Sequence, residues 1–145
     1  IAKLSPDVTD LVPIAQAAER AGADALAIAN TFTGMSIDPR TQRSRLGSLT
    51  GGLSGPAIRP LAVYRVWQVH QAVRCPLIGI GGILTGEDAL EYLIAGATAV
   101  AVGTATFSHP AAALRVVKDL ERYLQRHRID AIHHLIGTLK TNGTT

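Results

Sequence analysis

The chain has 145 residues, 47 % of them hydrophobic but only 4 % aromatic, a composition that favours tight α/β layering of Ala, Val, Ile and Leu and excludes a disordered or ring-rich chain. Its formal charge is +3, and the late basic residues Arg115, Lys118, Arg122, Arg126 and Arg128 lack interleaved aromatics or a recognition motif, so they suit a solvated helix face and argue against nucleic acid as a partner. No apolar run reaches the ~20 residues of a membrane span, no secretory leader is visible, and the single Cys75 excludes an intrachain disulfide, so a soluble cytoplasmic chain is the expectation.

Ile1 to Leu4 reads as a first strand with Lys3 among apolar neighbours. A strand-borne Lys either meets an anion or electron-rich acceptor at a barrel mouth or snorkels from the surface. A helix follows from Val12 to Ala21, with Thr9 and Asp10 as cap candidates and Pro13 tolerated in the first turn. Leu26 to Ala29 is the second strand. It ends in Asn30 and Thr31, whose amide and hydroxyl can bind a ligand or simply form a turn. From Asn30 to Arg59 the chain is punctuated by Gly34, Pro39, Gly47, Gly51, Gly52, Gly55 and Pro56. A loop this long at the C-terminal end of a strand is placed to cover a site.

Pro60 to Val73 predicts a second helix, with Leu61, Tyr64, Trp67 or Gln68, and Gln71 or Ala72 at helical spacing. Cys75 precedes the third strand, Leu77 to Ile80, and so lies opposite the strand ends, which leaves a nucleophilic role little support. That strand breaks into Gly81-Gly82. Thr85-Gly-Glu-Asp88 resembles a capping box with Asp in place of Glu or Gln and opens a helix to Ala95; dipole complementarity then explains Glu87 and Asp88 better than a catalytic acid pair does. The fourth strand, Ala99 to Val102, breaks into Gly103-Thr104. Ala111 to Arg126 is the last long helix, with His109 at its entry. Asp130 is expected to cap a short terminal helix through Ile136, and the tail Thr141 to Thr145 to fray. Adjacent His133 and His134 cannot share one helix face as ligands, and no metal site is expected.

Two of these strand ends, Gly81-Gly82 and Gly103-Thr104, offer bare backbone N–H groups, and two such ends from neighbouring strands can grip one phosphate at the C-terminal face of a barrel. Ala21-Gly-Ala-Asp-Ala-Leu-Ala-Ile-Ala-Asn-Thr31 and Ala95-Gly-Ala-Thr-Ala-Val-Ala-Val-Gly-Thr-Ala105 align almost position by position, each a helix end capped by Gly22 or Gly96, a tight turn and a buried strand. Four strand–helix units and a repeat point to the C-terminal half of a (β/α)8 TIM barrel, since a whole one needs roughly 200 residues or more. Beginning on a strand-like Ile1 without an initiator Met, the chain is expected to be the C-terminal portion of a larger protein whose N-terminal half lies elsewhere.

Lys3-Leu-Ser-Pro6, Ala29-Asn-Thr31, Gly34-Met35 with Ile37-Asp38, Thr50-Gly-Gly-Leu-Ser-Gly-Pro-Ala-Ile58 with Arg59-Pro60, Ile80-Gly-Gly-Ile83 and Val102-Gly-Thr104 together resemble the dihydroorotate dehydrogenase family, in order and in spacing. The resemblance covers nearly the whole chain and is strongest to the catalytic subunits of the NAD-linked class 1B enzymes. It implies an FMN-containing barrel that oxidises (S)-dihydroorotate to orotate in de novo pyrimidine synthesis, by C5 deprotonation and hydride transfer from C6 to FMN. Carried across, Lys3 contacts the flavin ring, Ala29 passes it by its backbone, Gly55 lines it, and Gly81, Gly82, Gly103 and Thr104 hold the phosphate. Asn30 and Thr31 bind the substrate. Ala29 stands where relatives often carry Ile, and Arg59 replaces a common Lys with little expected effect.

The family's general base, a Cys or Ser, sits on a loop of the N-terminal half, so no residue of this chain is named for it. The resemblance also implies a homodimer and an electron-transfer subunit carrying FAD and an iron–sulfur centre. Three alternatives stand beside it. One is another flavin barrel, such as the similar domain of dihydropyrimidine dehydrogenase; another is a non-redox phosphate-binding isomerase or lyase using Lys3 on a sugar phosphate. The third is an inert half-barrel with open edges at Ile1 and Ala99.

Overall fold

A computed structural model describes residues 1–140, and the expected fraying of Thr141 to Thr145 lies outside them. The chain runs through β1 (Ala2–Lys3), α1 (Val12–Arg20), β2 (Leu26–Ile28), β3 (Phe32–Gly34), β4 (Ile37–Asp38), β5 (Arg43–Ser44) and β6 (Gly51–Leu53). A 3₁₀ turn (Pro56–Ile58) leads into α2 (Arg59–His70), β7 (Leu77–Ile80), α3 (Gly86–Ala95), β8 (Ala99–Ala101), α4 (Ala105–Ser108), α5 (Ala112–His127) and a last 3₁₀ turn (Ile132–Leu135).

Strands β1, β2, β7 and β8 form one parallel sheet in that order, with Ala2 opposite Leu26, Leu26 opposite Leu77 and Ile78 opposite Ala99. Parallel neighbours require crossovers, and α1, α2 and α3 belong to them, as in half of a (β/α)8 barrel. The four expected strands are met to within one residue at each end.

The core sits between sheet and helices. Leu26, Ile28 and Leu77 pack against Ala62, Val66 and Val69 of α2 and Ala89 and Tyr92 of α3. Each fully buried Val, Leu or Ile side chain contributes about 1.5–3 kcal/mol of apolar burial. The inward stripe of α2 differs from the expected spacing, because Leu61 and Tyr64 are 50 % and 53 % exposed. With apolar residues on more than one face, periodicity alone could not choose; the smaller Ala62 and Val66 allow the closer approach to the sheet. Gly79 makes room in mid-strand, since a Cβ there would run into the Tyr92 ring.

Helix ends follow local chemistry. The N–H of Gly22 donates to the Glu19 carbonyl (2.9 Å) and that of Ala23 to Ala18 (3.1 Å); Gly96 donates to Leu93 (3.0 Å) and Ala97 to Tyr92 (2.8 Å). These matching Schellman pairs need positive φ, supplied at 93° by Gly22 and 117° by Gly96. At the other ends, Leu11 holds the cap position of α1 without a side-chain cap bond, and Asp10, one residue ahead of it, accepts the Val12 N–H (3.0 Å), while neither Thr9 nor Asp10 is the cap residue itself. The Thr85–Asp88 capping box is present. Asp130 makes no such cap: Ala131 precedes the final turn, with no side-chain hydrogen bond to it.

The long connection from Asn30 to Arg59 is ordered rather than a bare loop. Strand β3 pairs antiparallel with β6, Phe32 opposite Leu53, and β4 pairs with β5 inside that frame, Ile37 opposite Ser44. Strands of two or three residues, with at most one apolar side chain each in Phe32, Ile37 and Leu53, are too short to show an alternating pattern, which is why the sequence concealed this arm.

In the full-length protein, Gly96→Ala is expected to lower stability more than Gly22→Ala. Both incur a left-handed backbone cost of about 1–2 kcal/mol. Only at Gly96 would the new methyl also meet the His70 ring, whereas nothing lies within 4 Å at Gly22. Equal urea midpoints would show that the ring moves aside without cost.

Candidate functional site

Because the sheet is parallel, the residues that follow its strands crowd together at one end. They surround a cleft of about 460 Å³, walled on its far side by Ser54 to Pro56 and Ile58. The cleft brings together Lys3, Ala29, Asn30, Thr31, Gly55, Gly81, Gly82, Gly103 and Thr104. Lys3 thus belongs to the cleft and not to an outer helix-covered surface. The Ala29 N–H donates to the Ile80 carbonyl (3.1 Å) and the Asn30 N–H to Leu4 (3.2 Å), which fixes the backbone while leaving the Asn30 side chain exposed.

Backbone donors around the cleft divide into two groups. Leu84 and Thr85 give their N–H groups to Asp88 Oδ2 (2.8 and 2.9 Å), while those of Thr106 and Phe107 reach the Gly103 and Thr104 carbonyls (2.9 and 3.1 Å). The N–H groups of Gly82, Ile83, Gly103 and Thr104 meet no acceptor among the described residues. Unengaged N–H groups on two neighbouring strand ends are the chemistry of an anion site. Gly82, at φ 66°, cannot carry a side chain: a Cβ would lie 2.7 Å from the Gly55 carbonyl oxygen and 3.1 Å from Pro56 Cα. At Gly103 a Cβ would meet open space.

The antiparallel arm is pinned back to this cleft. Asp7 accepts both the N–H (3.1 Å) and the hydroxyl (2.5 Å) of Thr33, and the Thr104 hydroxyl donates to Ser54 Oγ (2.9 Å). Thr31 fills the space that a side chain at Gly52 would need.

Several lining residues escaped the sequence. Ser54, Ser108 and His109 join the cleft, although His109 had only a helix-entry role; its carbonyl does accept the Ala112 N–H (2.8 Å). Their nearness in sequence to Gly55 and to Gly103-Thr104 was the available signal. Arg59, which stands where relatives commonly carry Lys, pairs with buried Asp88, and its Nε lies 3.2 Å from Glu91 Oε1 without hydrogen-bond alignment. Asp88 therefore serves a helix cap and an ion pair at once, while Glu87 is exposed.

Cys75 lies at the other end of β7. Its N–H and that of Arg74 donate to Glu19 Oε1 (2.8 and 2.6 Å), bonds that hold the Glu19 carboxyl below its ordinary pKa. Burial, followed by the nearby Glu19 charge, pushes the Cys75 thiol up. The rings of His133 and His134 pack edge to face, 4.2 Å apart, and no group of three candidate metal ligands occurs among the described residues. No helix among those residues is long and apolar enough to cross a membrane.

Residues 1–124 match the family model described as dihydroorotate dehydrogenase. A protein of Citrifermentans bemidjiense named dihydroorotate dehydrogenase B (NAD(+)), catalytic subunit, is 57 % identical over 140 residues, covering 97 % of this chain and 46 % of the relative. One of the same name from Desulforudis audaxviator is 57 % identical over 143 residues, covering 99 % and 47 %. The crystal structure of DHODH from Eimeria tenella in complex with ferulenol matches with a TM-score of 0.78 and 33 % identity, over 94 % of this chain and 37 % of that one. The chain spans about half the length of the curated relatives it matches.

With its thiol raised and remote from the cleft, Cys75 in the full-length protein is expected to alkylate with iodoacetamide more slowly than free cysteine at about pH 8. Cys75→Ser should retain the parent's activity. A folded Cys75→Ser protein without activity would place the chemistry at the wrong end of the sheet.

Proposed function

The chain belongs to the dihydroorotate dehydrogenase family, and we propose that it is the C-terminal half of an FMN-binding barrel that oxidises (S)-dihydroorotate to orotate in de novo pyrimidine synthesis. The observation that carries this is the single cleft in which all nine expected residues meet, with four backbone N–H groups on two strand ends that meet no acceptor among the described residues.

The residues present fit FMN. Gly81, Gly82, Gly103 and Thr104 would hold the phosphate, for which bare N–H groups and a turn that excludes any Cβ at Gly82 are suited. Lys3, Ala29 and Gly55 would line the ring system, Lys3 offering a cation to an electron-rich ring. When bound, FMN supplies the two-electron acceptance that amino-acid side chains lack.

Asn30 and Thr31 would bind the substrate. An amide presents a donor and an acceptor side by side, which suits the paired polar edges of a pyrimidine ring, and the Asn30 backbone is already fixed by its bond to Leu4. The base that takes the C5 proton would come from the N-terminal half, outside this chain. Cys75 is not placed to do it.

The relatives' name "catalytic subunit" supports a partner subunit; in this reading the full-length chain forms a homodimer and the partner is an electron-transfer subunit that carries FAD and an iron–sulfur centre. The same reading places the full-length protein in the cytoplasm. The family match over residues 1–124 favours dihydroorotate over a dihydropyrimidine dehydrogenase domain or a sugar-phosphate isomerase.

In the full-length enzyme, Asn30→Ala is expected to keep FMN and lose dihydroorotate turnover. The loss of one desolvated hydrogen-bonding group, about 1–3 kcal/mol, corresponds to roughly five- to 150-fold in kcat/KM. Steady-state kinetics and the flavin absorption spectrum check both parts. Normal turnover with normal KM would reduce Asn30 to a turn residue, and a parent enzyme preferring dihydrouracil would move the protein to the other flavin-barrel substrate.

A further inference from the structure

The loop from Gly81 to Thr85 has an internal division that its own sequence does not explain. Its first carbonyl and its last two N–H groups are engaged, and the N–H groups of Gly82 and Ile83 between them meet no acceptor among the described residues. The engaged ends share one source. The Tyr92 hydroxyl donates to the Gly81 carbonyl at 2.5 Å, and Asp88 Oδ2 accepts from Leu84 and Thr85 at 2.8 and 2.9 Å. Residues 88 and 92 stand four apart on α3 and so share one helix face.

We propose that Tyr92 and Asp88 are positioning residues for the phosphate grip, holding the loop by both ends so that its central N–H groups stay presented to the phosphate of FMN. This rests on the FMN reading above.

Two features separate this role from ordinary core filling and helix capping. A capping box needs only the Thr85 and Asp88 partners, yet Asp88 also takes the N–H of Leu84, which lies outside the box. A buried tyrosine needs some acceptor, and this one uses the carbonyl that opens the loop. Tyr92 is fully buried, its ring filling the space beside Gly79, and a Cβ at Gly81 would lie 3.2 Å from its hydroxyl. Burial raises the Tyr92 phenol above its ordinary pKa, so it remains a donor at working pH. Arg59, from the start of α2, pairs with the other Asp88 oxygen and ties the carboxylate to a second helix.

The physical gain is preorganisation. Gly81 and Gly82 sit at φ 137° and 66°, conformations that a free glycine segment populates among many others. A loop left loose would pay ordering entropy on binding, whereas a loop held at both ends has lost that freedom on folding.

The test uses the full-length enzyme stripped of flavin, with FMN and riboflavin, which lacks the phosphate, titrated separately by flavin fluorescence. Tyr92→Phe and Asp88→Asn are each expected to raise the Kd for FMN about five- to tenfold, the effect of one lost hydrogen bond, and to leave that for riboflavin nearly unchanged. Asp88→Ala should weaken FMN binding more than Asp88→Asn. A general packing role would instead weaken both flavins alike, and that result overturns the proposal, as does an unchanged FMN Kd in folded variants. Arg59→Gln, which loosens Asp88 from outside the loop, supplies a third variant if Asp88→Asn does not fold, and it should shift the FMN to riboflavin ratio in the same direction. Gly82→Leu separates the two levels: if it loses FMN while Tyr92→Phe and Asp88→Asn bind like the parent, only the positioning role falls. If Gly82→Leu binds FMN like the parent, the phosphate site and the positioning role fall together.

Discussion

Tyr92 lies against β7 because Gly79 carries no side chain, and much of the cleft follows from that contact. The ring brings α3 close to the sheet at the level where β7 ends, and Asp88 one turn earlier then reaches the loop that β7 feeds. From the other side Arg59 reaches the same carboxylate, so the starts of α2 and α3 are joined over the strand end. A buried tyrosine in this family of packing arrangements is a structural wedge as well as a polar group. Its hydroxyl would be costly to leave unmatched, and it donates to the carbonyl of Gly81.

The four sheet strands were legible because short runs of Ile, Val, Leu and Ala ended in small or polar residues, and the helix stops because Gly22 and Gly96 sat where positive φ is needed. The arm was not legible, since Phe32–Gly34 pairs with Gly51–Leu53 through backbone bonds that any residue can make. Nor could spacing decide that Ala62 rather than Leu61 faces inward. Small residues at strand ends pointed to Gly81-Gly82 and Gly103-Thr104 as an anion grip, and strand position pointed to Lys3, Asn30 and Thr31; what each would meet rests on the six motifs of the family resemblance. The Arg59–Asp88 pair and the place of His109 on the cleft were not legible for one reason: each depends on partners distant in sequence or on a turn of backbone, which leaves no mark at the residue itself.

Two constraints beyond the core shape the cleft. Asp7 and Thr33 fasten the base of the antiparallel arm to the loop after β1, and Ser54 and Thr104 fasten its return to the end of β8. The arm therefore leaves and rejoins the barrel at the cleft rim, while Met35, Ile37 and Leu49 along it are exposed. At the sheet margins, β1 and β8 each have one paired side among the described residues. Open parallel edges are unusual in isolation, and a half-barrel of this kind calls for further strands to satisfy them.

The duplicated cassettes, 21–31 and 95–105, share their left-handed cap and their turn; the strand that follows is buried in the first copy but partly exposed at the sheet edge in the second, and both empty into the same cleft. Position by position, Ala29 corresponds to Gly103 and Asn30 to Thr104. One copy thus arrives with an amide side chain and the other with uncovered peptide groups, although the machinery that delivers them is alike. Such a module separates carriage from recognition: the body fixes the backbone, and the tip carries the groups that face the cleft. A barrel assembled from repeats of it can acquire a new ligand preference by changing two residues per tip, leaving the scaffold's stability almost untouched.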